Sequence, residues 1–286
     1  MRQVPIFFGI LIGDAAYGLI FLSATLFAHK KFGDQVQDQS VFFLLYVLSS
    51  SAIVWGLLTG TIFGTVLLGS MVNPIMAWVT DAKNVQFLCF LIGAIHLTIA
   101  HLWRFKNKFP AIPAFADLGW VVIIWGVFFA AMMMILGVAT VTAGPLSLST
   151  ATLIKYLLMI GAVPVVIDIL TRDKSTIFVN LILFIFGMIS AFTDVVSYVR
   201  LFAVGLAGVA VADAFNQMAL EMGFGNVFSG IGASLILICG HALNITLCTM
   251  GVLVHGIRLN VLEFSSHLGM EWSGVKYVPF QKVKAA

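Results

Sequence analysis

Charge is scarce in this chain: Asp, Glu, Lys and Arg make up only 9% of its 286 residues. A soluble domain carries about a quarter of its residues charged, so a water-exposed globular surface is excluded. Cysteine is rarer still, at three residues. Cys89, Cys239 and Cys248 all fall inside apolar stretches, at spacings that match no metal or disulfide pattern, and read as small buried hydrophobes. Walker motif, nucleophile elbow, zinc signature and dinucleotide loop are missing too, so the chain offers no nucleotide site, covalent catalyst, metal or cofactor of its own. The net charge of +3 is small and its basic residues lie mostly in short loops, which argues against a nucleic-acid partner.

What is present is hydrocarbon. Hydrophobic residues make up 61% of the chain and the mean hydropathy is +1.08. Apolar segments run at roughly 5–28, 41–69, 85–103, 118–139, 152–170, 177–221 and 227–268, most near the length that crosses about 30 Å of lipid. The fold class that follows is an all-α polytopic membrane protein of seven to eight transmembrane helices, surrounded by lipid. Met1-Arg2 before an apolar run has the outline of a signal peptide. Gly13-Asp14 interrupts that run, however, and no small-residue cleavage site follows, so a signal peptide is not expected.

The last two segments would be about 65 Å and about 60 Å long as helices, roughly twice a bilayer. Short cytoplasmic loops collect Lys and Arg. If each long segment crosses once, Lys30, Lys31, Arg104, Lys106, Lys108, Arg172, Lys174, Lys276, Lys282 and Lys284 all fall on one side. The expectation is therefore two long, tilted single crossings and a cytoplasmic C-terminus, with a break near Ser190–Asp194 left open. The chain divides into a helix bundle over 1–170, a long helix pair over 171–268 and a cytoplasmic tail over 269–286. In the first segment, a lone carboxylate in lipid at Asp14 is costly, and a tight reversal at Gly13-Asp14 is one solution.

Ionisable groups at membrane depth point to function, because each costs several kcal/mol without a partner or water. Arg200 lies near the middle of 177–221, a permanent positive charge. Asp194, six residues back, and Asp213, thirteen ahead, are off its helical face; Ser197 is on it and can hydrogen-bond it. Ala203, Gly205, Ala207, Gly208, Ala210 and Ala212 then form a run of small residues. Such a run either packs helices of this chain or offers a smooth surface to a sliding neighbour. The last segment adds His241, Asn244, His255, Arg258 and Glu263, which together read as a wetted path, with Glu263 near the cytoplasmic end in reach of water. Two haems on one helix would need a matching histidine pair elsewhere, and His96 and His101 are only five apart.

Three stretches resemble a known family, the membrane domain of the V/A-type rotary ATPase subunit called I in prokaryotes and a in eukaryotes. Phe7-Phe-Gly-Ile-Leu-Ile-Gly13-Asp14-Ala-Ala-Tyr17-Gly is similar to its FFGMMLGDxGYG. Asp194 to Gly208 is similar to SYxRLxALGLA, and His255-Gly-Ile-Arg258-Leu-Asn-Val-Leu-Glu263-Phe to VHxLRLxxxEF. The resemblance implies a stator subunit, with no catalytic site in this chain, facing a rotating proteolipid ring in a prokaryotic plasma membrane. Arg200, assisted by Arg258, would act between two half-channels for H⁺ or Na⁺, lined by Ser197, His241, Asn244, His255 and Glu263. Peripheral- and central-stalk subunits would complete the complex. The family carries a large cytoplasmic domain before the first helix, and this chain begins within that helix, which implies a fragment or a reduced subunit. After Glu263 the family's FxKFYxGxG becomes Phe-Ser-Ser-His267-Leu-Gly, and Pro279-Phe280 recovers its ending.

The competing reading is a self-contained secondary transporter with Arg200 holding an anionic substrate. That class often shows inverted repeats and broken helices, and none are visible in the sequence. A passive scaffold leaves two deep arginines without a purpose.

Overall fold

Gly13 ends the first helix because it adopts the left-handed conformation, φ +64°, that side chains other than glycine rarely tolerate. The structure is a computed structural model that describes residues 4–36, 38–65, 73–143, 146–171 and 174–270. Helix α1 (Val4–Ile12) stops at that glycine and α2 (Ala15–Phe32) starts after Asp14. The chain reverses there: the rings of Phe8 and Phe21 lie 6.0 Å apart, where an unbroken helix would hold them about 20 Å apart. Both helices pack on α3 (Ser40–Thr59), through Gly9 against Ser51 and Gly18 against Ile53. The apolar segment expected to reach 69 ends as a helix at Thr59, because Gly60 takes φ +74° and caps it.

Helices α4 (Ala82–Lys108) and α5 (Ile112–Ala131) follow, joined by a short turn with a proline in the first turn of α5, where a missing N–H costs nothing. A π-helical turn, Met132–Leu136, closes α5. Strands β1 (Thr140–Ala143) and β2 (Leu146–Ser149) then pair antiparallel, a hairpin the sequence pattern did not announce. After α6 (Thr150–Thr171), α7 (Ile177–Ser197) and α8 (Val199–Met222) run on as one 46-residue stretch, irregular only at Tyr198. The helix is continuous through 190–194. Helix α9 (Val227–Gly251) likewise continues through π-helical turns Val252–Gly256 and Leu259–Phe264 into α10 (Ser265–Leu268), giving 42 residues in all.

Among the described residues six helical runs are long and apolar enough to cross a membrane, close to the seven or eight expected. The first apolar segment supplies the α1–α2 pair in place of a single span. Phe90, Leu97, Ile123, Val127, Val165 and Val195 form the core that joins α4 to α7. A second core, Phe7, Leu11, Cys89, Tyr198, Leu201 and Leu259, places α1 against the junctions of both long runs. Cys89 and Cys248 are buried as expected, but Cys239 is exposed on α9. Arg172 and the stretch 271–286, with its three lysines and Pro279-Phe280, lie outside the described residues.

Candidate functional site

The two long runs meet at Arg200. Its side chain is 24% exposed, and its Nη1 lies 3.8 Å from Oε1 of Glu263, which is itself 6% exposed. That separation is an ion pair without a hydrogen bond. Ser197, one turn before Arg200, donates its hydroxyl to the same Oε1 at 2.9 Å. Two expectations change here. Glu263 is buried, not bathed at the membrane edge, and Ser197 bonds that carboxylate rather than the arginine. The spacing argument holds for Asp194 and Asp213, neither of which pairs with Arg200: Asp194 bonds His267, and Asp213 accepts from Thr65. Arg200 Nη1 and Glu263 Oε2 are both buried and make no hydrogen bond among the described residues. Unmade hydrogen bonds on buried charged groups are costly, so this pair is under-satisfied.

The run of small residues divides by helical position. Gly205, Gly208 and Ala212 are buried, Gly205 against the Ile10 backbone and Gly208 against Cys248. Ala203, Ala207 and Ala210 are exposed, at spacings of three, seven and ten from Arg200, so they continue its stripe. Arg258 is exposed between the two π-helical turns, and His255 lies within electrostatic reach of both arginines. Widened π turns recur at functional sites because they re-aim side chains that a regular helix would direct elsewhere.

A second polar cluster lies further along α8 and α9. Tyr17 Oη and His241 Nδ1 are 2.8 Å apart, and Asn244 donates to Tyr17 Oη at 3.0 Å and to the Gly208 carbonyl at 2.8 Å. His241 Nε2 meets Asn216 Oδ1 at 3.1 Å, and Asn216 donates to the Phe63 carbonyl at 2.6 Å. The Gly13-Asp14-Tyr17 motif and the candidate pair His241 and Asn244 are thus one network. Asp14 organises its base. One carboxylate oxygen accepts the amides of Ala16 (2.8 Å) and Tyr17 (3.2 Å), the other that of Gly64 (2.8 Å), so the buried carboxylate is a helix N-cap. Three amide donors answer the cost that made it conspicuous.

Sequence reasoning missed several residues. Asn216 and Thr65 carried no signal of their own. His96 bonds Tyr198 Oη at 2.7 Å and stacks on Phe264, 4.3 Å between rings, which removes it from any paired-histidine arrangement. Asp117, 1% exposed, holds Lys108 at 2.9 Å and Arg104 at 3.3 Å. A carboxylate inside an apolar helix was the signal that would have found it. No group of three or more His, Cys, Asp or Glu residues suited to a metal ion occurs among the described residues.

No family model matches the chain. It is 36% identical over 304 residues to the V-type ATP synthase subunit I of Borreliella burgdorferi, covering 98% of this chain and 48% of that protein. It is 30% identical over 296 residues to the V-type ATP synthase subunit I 1 of Treponema pallidum, covering 97% and 46%. With the A-type ATP synthase subunit I of Methanocaldococcus jannaschii the figures are 28% over 314 residues, 96% and 43%. The chain spans about half the length of the curated relatives it matches. With 96–98% of its residues aligned to these proteins and built of long apolar helices, the chain belongs to the V/A-type ATP synthase subunit I family.

Proposed function

We propose that this chain is the ion-translocating stator subunit of a V/A-type rotary ATPase. It passes H⁺ or Na⁺ to and from a rotating proteolipid ring while other subunits make or hydrolyse ATP. The observation that carries the proposal is the guanidinium of Arg200, part-exposed and under-satisfied within an apolar run, with a stripe of small residues extending from it. A carboxylate approaching along that stripe would meet the exposed part of the guanidinium, while Nη1 stays buried beside Glu263. An opposite charge nearby favours the ionised carboxylate, and more so where little water screens it. A ring carboxylate therefore releases its ion at Arg200 before passing. Glu263 and Ser197 hold the site in place between encounters, and exposed Arg258 extends the positive field.

Two half-channels would serve the site. The Tyr17, His241, Asn244 and Asn216 network supports one polar path, and Ser197, His255 and Glu263 support the other. Only 17% of the most apolar window of Ile177–Met222 is buried against the rest of the chain, which leaves room for a ring and lipid beside it. Partners in this reading are the proteolipid ring and the stalk subunits, and the location is a prokaryotic plasma membrane. The test is Arg200→Ala in the whole complex reconstituted into liposomes. Assembly should persist and ATP-driven ion uptake should vanish; substantial coupled uptake by an assembled variant contradicts the proposal.

A further inference from the structure

Four helices bring a line of acid–base groups together on the side of Arg200 away from Tyr17. Asp117 on α5 holds Lys108 and Arg104 of α4, and its Oδ1 lies 3.7 Å from His101 Nδ1. His101 Nε2 lies 2.9 Å from His267 Nδ1 on α10, and His267 Nε2 lies 2.9 Å from Asp194 Oδ2 on α7. Arg104 also donates to the His267 carbonyl at 3.1 Å, and Trp120 stacks parallel to the His101 ring. Asp194 is one helical turn before Ser197, whose hydroxyl is on Glu263.

We propose that His101 and His267 are a proton relay joining the Lys108–Asp117 end of the membrane domain to Asp194 and the Arg200 site. It rests on the stator reading and commits that reading to H⁺ over Na⁺. The relay uses the tautomers in which Asp194 receives a donor. With both rings neutral, His267 donates its Nε2 proton to Asp194, so its Nδ1 is a lone pair that accepts the Nε2 proton of His101. His101 Nδ1 is then the bare nitrogen, buried, without a hydrogen bond among the described residues, and 3.7 Å from the Asp117 carboxylate. A simple anchor for α10 needs one histidine on Asp194; it does not need a second imidazole with its free nitrogen aimed onward.

The transfer balances. Lys108 and Arg104, 37% and 29% exposed, mark the wet end. A proton arriving there is taken up by His101 Nδ1, after a movement of about 1 Å that closes the gap to hydrogen-bond distance. His101 then gives its Nε2 proton to His267 Nδ1, and His267 gives its Nε2 proton to Asp194. One proton enters and one leaves to Asp194, each ring ends as its other tautomer, and reorientation of the rings, with their hydrogen bonds broken and remade, resets the line without carrying a proton back. A sodium ion has no equivalent route through imidazoles.

The experiment uses the whole complex in liposomes, with an acidification-sensitive dye for H⁺ and ²²Na⁺ uptake for sodium. The unmodified complex should acidify the lumen and accumulate no sodium. His267→Gln and His101→Gln keep polar side chains but cannot pass a proton on, and each should lower the rate of proton uptake by about tenfold or more with subunits still co-purifying. Imidazole added to His267→Ala should recover part of the loss, and N-methylimidazole, which fills the space but has one nitrogen blocked, should not. Proton uptake within about twofold of the unmodified rate in either assembled glutamine variant overturns the relay. So does sodium uptake without acidification by the unmodified complex, which leaves the stator reading standing and decides the matter even where a variant fails to assemble. Retained transport in Arg200→Ala overturns the stator reading itself.

Discussion

Tyr17 and His241, separated by 224 residues in the chain, share a 2.8 Å hydrogen bond that ties the N-terminal helical hairpin to α9. Tyr17 is 1% exposed, so its hydroxyl has no recourse to bulk water, and it also accepts from Asn244. Tyr17→Phe keeps the ring and deletes both bonds, leaving buried Asn244 and half-buried His241 each one partner short. The expected loss is about 1–3 kcal/mol, read as a lower unfolding temperature of the detergent-solubilised protein.

Asp14→Ala should be costlier to the fold than its single position suggests. Its carboxylate accepts three backbone amides across two segments, Ala16, Tyr17 and Gly64. An N-cap alone contributes about 0.5–2 kcal/mol, and the Gly64 amide adds a second buried donor. Asp14→Asn keeps an acceptor oxygen and should recover part of the stability, which thermal denaturation of the two variants side by side will show.

Gly56 is fixed by contact rather than by conformation. A Cβ there would lie 2.1 Å from the Ala15 nitrogen, at the start of α2. Gly56→Ala must push the α2–α3 contact apart, at a cost of about 1–3 kcal/mol, seen as reduced yield and a lower unfolding temperature. Gly225, whose surroundings are open, should accept alanine with no such change.

The exposed stripe separates packing from sliding. Ala207→Trp adds bulk at an exposed position of the stripe, so stability and assembly should be close to unmodified. Coupled transport should nevertheless fall steeply if a ring moves along this face; unchanged ion uptake would show that it does not. By contrast Gly208→Ala, which meets Cys248 Sγ at 3.0 Å, is expected to affect stability first.

Glu263→Gln tests the internal pair. The substitution keeps an acceptor for Ser197 and removes the negative charge nearest Arg200. A less compensated guanidinium should hold a passing carboxylate longer, so uptake should slow without loss of assembly. Rates faster than the unmodified complex would mean that Glu263 restrains the site instead.

Hydropathy was enough to place the two long helical runs, because the length of an apolar run is a local property of the chain. Ile177–Met222 and Val227–Leu268 were legible to within a residue or so for that reason. Arg200 and Arg258 stood out because the cost of a charge within such a run is local too. What no local rule could supply was pairing across helices. Tyr17 with His241, Ser197 with Glu263, and His101 with His267 join positions 66 to 224 residues apart. Each bond depends on which helix faces are turned together, and a helix that is apolar nearly all round does not declare its inner face. Composition alone made this a membrane protein with deep charges; only the packing of the helices decided which polar groups meet and which are left reaching outward.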